Sequence, residues 1–236
     1  MATEQSAMPS RGRMFYVTGA VVALIIVFSG FAKTYYMKAV FGTPEIRPLV
    51  QLHGLVMTAW FTLFLVQSWL VASRRIQVHR RLGIFGAFLA AALVAVGAAT
   101  AISGAKLGHT PGPPPLIFLV VPLIDLLVFT AIIAAGLSLR NNREAHRRLM
   151  FLGTLSILTA AIARIPVAFI HDGGIVRFFI LKDLIIVAFV AYDTWKSRRL
   201  HPAFGWGALF IIASFPLRMM LAGTHAWMQF ATWVTR

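Results

Sequence analysis

HGLVMTAWFTLFLVQSWLVASRRIQVHRRLGIFGAFLAAALVAVGAAT, residues 53–100, sets two long apolar runs on either side of a short segment that carries Arg74, Arg75, Arg80 and Arg81. A helix needs about 20 mostly apolar residues to cross the hydrocarbon core of a bilayer. Lipid offers the backbone no hydrogen bonds, so runs of this length read as helices that satisfy their own polar groups. The stretch therefore predicts a transmembrane hairpin, and the pattern continues along the chain. Seven runs are long enough: 14–36, 49–72, 82–103, 116–139, 149–170, 175–195 and 206–230. GTPEIRP at 42–48, GHTPGPPP at 108–115 and HDGG at 171–174 punctuate them with residues that end helices. The expected fold is an all-α polytopic membrane bundle of about seven transmembrane helices, with residues 14–236 as one domain behind a polar tail, 1–13.

Composition agrees. The chain is 59% hydrophobic and 12% charged, with a mean hydropathy of +0.80, whereas a soluble domain is about 25% charged. The net charge of +15 comes from short basic clusters between apolar runs, where a membrane protein keeps its orientation signals, and this argues against a nucleic-acid partner. Without cysteine there is no disulfide, thiolate ligand or iron–sulfur cluster, which leaves His, Met, Asp and Glu to ligate any metal. The first apolar run is too long for a signal-peptide core and lacks a small-residue cleavage site, so it is expected to stay as a span. A P-loop, an HExxH pair and a nucleophile–base motif are all missing from the sequence.

Basic residues orient the bundle. One side collects Arg11, Arg13, Arg74, Arg75, Arg80, Arg81, Arg140, Arg143, Arg147, Arg148, Lys196, Arg198 and Arg199. The other has Lys33, Lys38, Arg47, Lys106 and Arg236. The richer side is expected to be cytoplasmic, which puts the N-terminus inside and the C-terminus outside. VHRRLGIFG at 78–86 returns as AHRRLMFLG at 145–153, with Gly86 and Gly153 each seven residues after His79 and His146. This suggests a parallel internal repeat of descending helix, basic turn and ascending helix, with KSRRLHP at 196–202 as a looser third copy.

Several polar residues fall within the apolar runs. His53, Met57, Trp60, Phe64 and Gln67 share one stripe of the second run at 100° per residue. RIPVAFIH and RMMLAGTH set Arg164 and His171, and then Arg218 and His225, seven residues apart. Asp125 lies beside Pro122, and Lys182 and Asp183 enter the sixth run from the outside. Intramembrane ionisable groups turn inward and find partners, so these residues predict a polar chamber in the outer half, with a surplus positive charge that suits an anionic group. If the charges serve structure alone, Asp125 with Arg164 and Asp183 with Arg218 are the expected pairs. His53, His171 and His225 are the candidate outer metal ligands, and His79 with His146 the inner ones.

GFAKTYYMKAVFG at 30–42, the HGLVMTAWFTLFLVQ helix, HRRLG, and HRRLM followed by an arginine together resemble an uncharacterised family of bacterial multi-spanning membrane proteins, over about residues 30–218. The resemblance implies membership and a place in the bacterial cytoplasmic (inner) membrane; it implies no activity. Histidines at both ends of a small bundle are more distantly similar to di-haem b-type cytochromes and to membrane proteins that assist haem–copper oxidase assembly. The leading expectation is a redox protein that handles haem b or quinone, with Arg164 and Arg218 holding propionates or a quinone oxygen. The alternatives are a small anion or proton-coupled transporter, and an accessory or assembly subunit of a respiratory or photosynthetic complex. Beyond the lipid bilayer, such a complex or a second copy of the chain is the expected partner.

Reporter fusions should place 74–81, 140–148 and 196–205 in the cytoplasm and residue 236 outside; a C-terminal fusion active only in the cytoplasm would reverse the orientation.

Overall fold

The computed structural model describes residues 11–112 and 114–236, with the side chains of 11–13 and 171 left aside. The described residues hold helices and no strand. Most of the expected polar tail, residues 1–10, lies outside them, and the first helix already begins at Arg11. In chain order the helices are α1 (Arg11–Phe31), which runs on into a π-helical turn (Ala32–Tyr36), α2 (Lys38–Phe41), α3 (Pro48–Ala72), α4 (Ile76–Lys106), α5 (Pro115–Phe118), α6 (Val120–Ser138), α7 (Arg143–Ser156), α8 (Thr159–Ile162), α9 (Ala168–His171), α10 (Gly174–Ser197), α11 (Pro202–Leu221) and α12 (His225–Val234).

Local chemistry sets the helix ends. Pro48 and Pro202 open α3 and α11 at a first-turn position, where a missing N–H costs nothing. Asn142, His201 and Thr224 cap α7, α11 and α12 by accepting from the backbone N–H groups of Ala145, Ala203 and Trp227. Arg74 and Arg198 adopt left-handed backbone, with φ of 62° and 59°, at the turns after α3 and α10. Three antiparallel hairpins result, α3–α4, α6–α7 and α10–α11, each joined by a basic turn.

Five helical segments are long and apolar enough to cross a membrane: Met14–Tyr36, Pro48–Ala72, Ile76–Lys106, Pro115–Ser138 and Pro202–Leu221. Only 17% of the most apolar window of Pro48–Ala72 and 22% of that of Ile76–Lys106 is buried within the chain, and Ile84, Phe85, Phe88, Trp206 and Met220 face outward. Apolar surface on that scale belongs against lipid.

The other two expected runs differ. Residues 149–170 do not form one helix: α7 stops at Ser156, a single turn follows as α8, and the chain is irregular until α9. Pro166 has no N–H to donate, and it disfavours helix at Ile165. Upstream, Ser156 bonds the Gly153 carbonyl in place of a solvent contact. Residues 175–195 do lie in one helix, α10, but Arg177, Lys182, Asp183 and Asp193 make it too polar to class with the five. The last run also ends early, at Leu221, because Gly223 takes a φ of 81° and Thr224 starts a new helix.

The short, heavily buried α7 is the hub. Phe151 is fully buried and meets the rings of Phe15, Tyr16, Phe64, Phe189 and Phe204 at 4.9–6.3 Å. Leu152, Leu155 and Leu158 extend this core toward Ile186 and Ile211. Glycines let the backbones close: a Cβ on Gly153 would stand 2.6 Å from Ile133 Cδ1, and one on Gly30 would strike the carbonyl of Ala161 in α8. A smaller cluster of Leu119, Val120, Phe179, Trp227 and Ala231 closes the opposite end.

Gly30→Leu should therefore push α1 off α8 and cost about 1–3 kcal/mol, as overpacking does. Gly83→Ala, whose Cβ would meet the Gln67 amide at 3.8 Å, should be neutral or stabilising. Thermal unfolding in detergent checks both, and equal melting temperatures would disprove the tight α1–α8 crossing.

Candidate functional site

The ionisable residues inside the bundle fall into three groups. The first joins α6, α10 and α11. Arg218 is wholly buried on α11 and donates from Nη1 to Asp125 Oδ1 at 2.7 Å. Its Nε and Nη2 are taken by the carbonyl and hydroxyl of Ser214, one turn back. Lys182, also buried, lies 3.2 Å from Asp183 Oδ1, although neither atom completes a hydrogen bond. Phe179 receives both cations on its ring, with Arg218 Cζ at 4.5 Å and Lys182 Nζ at 4.8 Å. Two carboxylates balance two cations, and the quadrupole of the ring adds to that balance. Its charges are balanced from within, while Lys182 Nζ and Asp183 Oδ1 keep unfilled hydrogen-bonding capacity.

The expected pairing is thereby corrected. Asp125 takes Arg218 rather than Arg164, and Asp183 takes Lys182. Arg218 and Arg164 do not play equivalent parts, and the surplus charge expected for the chamber is Arg164 alone. His225 does not extend a face shared with Arg218 either: α11 ends between them, and His225 opens α12 as an exposed residue beside the cluster around Trp227. The backbone of His171 closes α9, while its side chain lies outside the described residues.

The second group lies where α3 meets the end of α1 and the broken α7–α9 segment. His53 and Trp60 sit on one stripe of α3, and His53 Nδ1 and Trp60 Nε1 are buried without a hydrogen-bond partner. Arg164 lies within electrostatic range of His53. Its Nη1 donates to the Ala160 carbonyl at 2.9 Å and its guanidinium covers the Phe31 ring at 5.0 Å, with no carboxylate paired to it among the described residues. Tyr36 and Thr58 share a hydrogen bond of 2.8 Å nearby on α3 and the π-helical turn. Met57, between the two unpartnered rings, packs at the margin of the main core.

The third group is the basic end, where the HRRL copies converge. The rings of His79 and His146 lie 6.3 Å apart, edge to face. His146 Nδ1 bonds the Gly136 carbonyl of α6 at 2.7 Å. In the amide orientation that satisfies its neighbours, Gln67 of α3 donates to His79 Nδ1 at 2.7 Å and accepts from Gly83 N at 3.0 Å. Each histidine thus latches its helix to the preceding helix of its own hairpin. The arginines of the two copies diverge: Arg80 and Arg81 are exposed, whereas Arg148 is 3% exposed, with Asp193 at 2.8 Å and Glu144 at 2.5 Å. Burial opposes ionisation of Glu144, but the Arg148 hydrogen bond and the charges of Arg147 and Arg148 hold its carboxyl below the usual range. Sequence spacing put Arg148 among orientation signals. Asp193, on one stripe of α10 with Lys182, was the available clue to its burial.

Among the described residues, no three His, Asp or Glu side chains converge as a metal site. Among the described residues His79 and His146 form an imidazole pair; the outer set of His53, His171 and His225 includes a side chain that lies outside them. The chain matches no family model, no curated protein and no solved structure.

Arg218→Met removes the cation bonded to Asp125, leaves Asp125 and Asp183 to share Lys182, and should cost about 3–5 kcal/mol. Adding Asp125→Leu should recover most of that loss in a double-mutant cycle read by thermal unfolding; additive losses would show that the pair does not couple.

Proposed function

We propose that the protein is a multi-pass redox protein of the bacterial cytoplasmic membrane that handles quinone at the α3 face formed by His53, Arg164 and Trp60. The observation that carries this reading is the pair of buried ring nitrogens on α3 without partners, with the exposed guanidinium of Arg164, which has no carboxylate among the described residues, in electrostatic range of His53. Buried donors normally find acceptors, and each one left over costs about 1–3 kcal/mol. A quinone supplies what they lack: carbonyl oxygens to accept from imidazole, indole and guanidinium, and a flat ring to lie among Phe31, Met57 and Trp60. Arg164 contributes charge-assisted bonds, which strengthen as the carbonyl gains electron density. His53 is the proton-carrying group at the site. In this reading the chain crosses the membrane seven times with its basic turns inside, and α7–α9 and α10 are the two polar or broken crossings.

A haem b would supply one-electron transfer; His146, whose Nδ1 donates to the Gly136 carbonyl, would hold it through Nε2, whereas His79, whose Nδ1 accepts from Gln67, carries its proton on Nε2 and would have to exchange tautomer and release Gln67 to serve as the second ligand. A second reading, anion transport, draws on the break between α7 and α9, since interrupted helices line transporter sites and Arg164 sits at this one.

Decylubiquinone should quench the tryptophan fluorescence of the purified protein saturably, and His53→Phe and Arg164→Met should each weaken binding by about tenfold, the loss of one charge-assisted bond, with melting unchanged. Unaltered binding in both variants would overturn the reading. Anion flux in proteoliposomes that Arg164→Met abolishes would favour transport, and a reducible Soret band lost in His79→Ala would identify haem.

A further inference from the structure

At the basic end, two adjoining clefts lie between α1 and α10. One, of about 350 Å³, is lined by Tyr16, Glu144, Arg147, Asp193, Lys196 and Arg199 among others. The second, of about 420 Å³, is lined by Met14, Phe15, Thr18, Ala188, Phe189 and Tyr192. Phe15 and Tyr192 belong to both, and their rings stack at 5.4 Å and 6° to form the threshold between them. Both volumes are within the range of small-molecule sites.

The two clefts differ in chemistry. In the first, Glu144 and Asp193 are committed to Arg148 at the floor, and Arg147 shares Glu144. Lys196 and Arg199 are exposed at the rim with no carboxylate paired to them among the described residues; Lys196 Nζ only overlies the Tyr192 ring at 5.9 Å. The cleft therefore keeps a surplus of positive charge. The Tyr16 hydroxyl, which lines it, is buried without a hydrogen-bond partner. The second cleft is lined by apolar groups apart from Thr18 and the Tyr192 hydroxyl. It leads into the apolar belt, since Ala188 is one turn, about 6 Å, further from the basic turn than Tyr192, and Thr18 is similarly further along α1 than Phe15.

We propose that these two clefts form one site for an anionic phospholipid, with its phosphate held by Lys196, Arg199 and the Tyr16 hydroxyl and an acyl chain laid past Phe15 and Tyr192 into the α1–α10 groove. Charge complementarity selects the head group, and the apolar groove that continues from it selects a lipid over a free anion. The site does not depend on the quinone reading, because it shares none of its residues.

Native mass spectrometry of the full chain, with palmitoyl-oleoyl phosphatidylglycerol as probe and the phosphatidylcholine analogue as control, tests the assignment. The anionic lipid should bind more tightly, and Lys196→Gln with Arg199→Gln should lower its affinity about thirtyfold, the worth of two basic residues at a membrane surface. Arg74→Gln with Arg75→Gln, an equal charge change elsewhere on the basic side, should leave binding intact. Ala188→Trp, which fills the groove, should weaken the anionic lipid, and millimolar inorganic phosphate should not displace it. Equal affinity for the two lipids, an equal loss in the Arg74 and Arg75 control, or displacement by phosphate with no effect of Ala188→Trp would overturn the proposal; the last would indicate a free-anion site only. Should the variants misfold, phosphatidylglycerol bearing a diazirine on its acyl chain must label residues 14–18 or 188–192 of the unaltered protein, and labelling confined to other helices would overturn it equally.

Discussion

Charges carried on helices that face lipid have to be neutralised inside the bundle, and here the neutralising contacts run between hairpins. Asp125 on α6 meets Arg218 on α11, and Arg148 on α7 meets Asp193 on α10. The α6–α7 hairpin is thus tied to the α10–α11 hairpin twice. The two ties are far apart: Asp125 is thirteen residues, about 20 Å of helix, before Ser138 at the basic end of α6, while Arg148 is one turn into α7. Two pins at different depths fix tilt as well as contact. Apolar packing against lipid-like side chains cannot do so alone, because lipid competes for the same surface.

Between those pins, α7 supplies the packing. It is the most enclosed of the longer helices although it is only 14 residues long, too short to span a bilayer. Enclosure by α1, α6, α10 and α11 is what permits its early end, since irregular backbone at membrane depth is tolerated where protein rather than lipid surrounds it. The Ser156 hydroxyl and the turns around Leu158 absorb the backbone groups that the break releases. The break in turn carries Arg164 to the margin, over the Phe31 ring and in electrostatic range of His53, where an unbroken helix would have continued it along the face that ends at His171.

Satisfied and orphaned polar groups differ in what packs against them, and that difference connects packing to function. The Arg218 and Arg148 centres use their donors on carboxylates, hydroxyls and carbonyls, and they read as structure. Orphaned polar atoms remain on Lys182 and Asp183 of α10, and on His53, Trp60 and Tyr16, which lie along α1 or the helix packed on it. α1 therefore forms a wall of both proposed sites, with quinone toward the end that carries the π-helical turn and lipid toward the basic end. Through Gly30, its contact with α8 sets how near Arg164 comes to His53.

The all-helical fold and its apolar helices were legible in the sequence, because the signals are local. Five of the expected runs return as helices long and apolar enough to cross a membrane, the last of them shortened at Leu221, since hydropathy over some 20 residues and Pro and Gly punctuation act within a turn or two of where they occur. Much of the site was not legible in the same way. His53, Trp60 and Arg164 stood out as polar residues in apolar runs, yet their lack of partners is a property of what packs against them. Equal seven-residue spacing made Arg164 and Arg218 look equivalent, whereas Pro166 broke one helix and Arg218 found Asp125 93 residues away. Arg148 looked like its exposed counterpart Arg81 until α10 brought Asp193 to it from 45 residues along the chain. Spacing along one helix reports which residues share a face; which charge neutralises which depends on the order in which the helices pack around α7, and that order belongs to the tertiary structure.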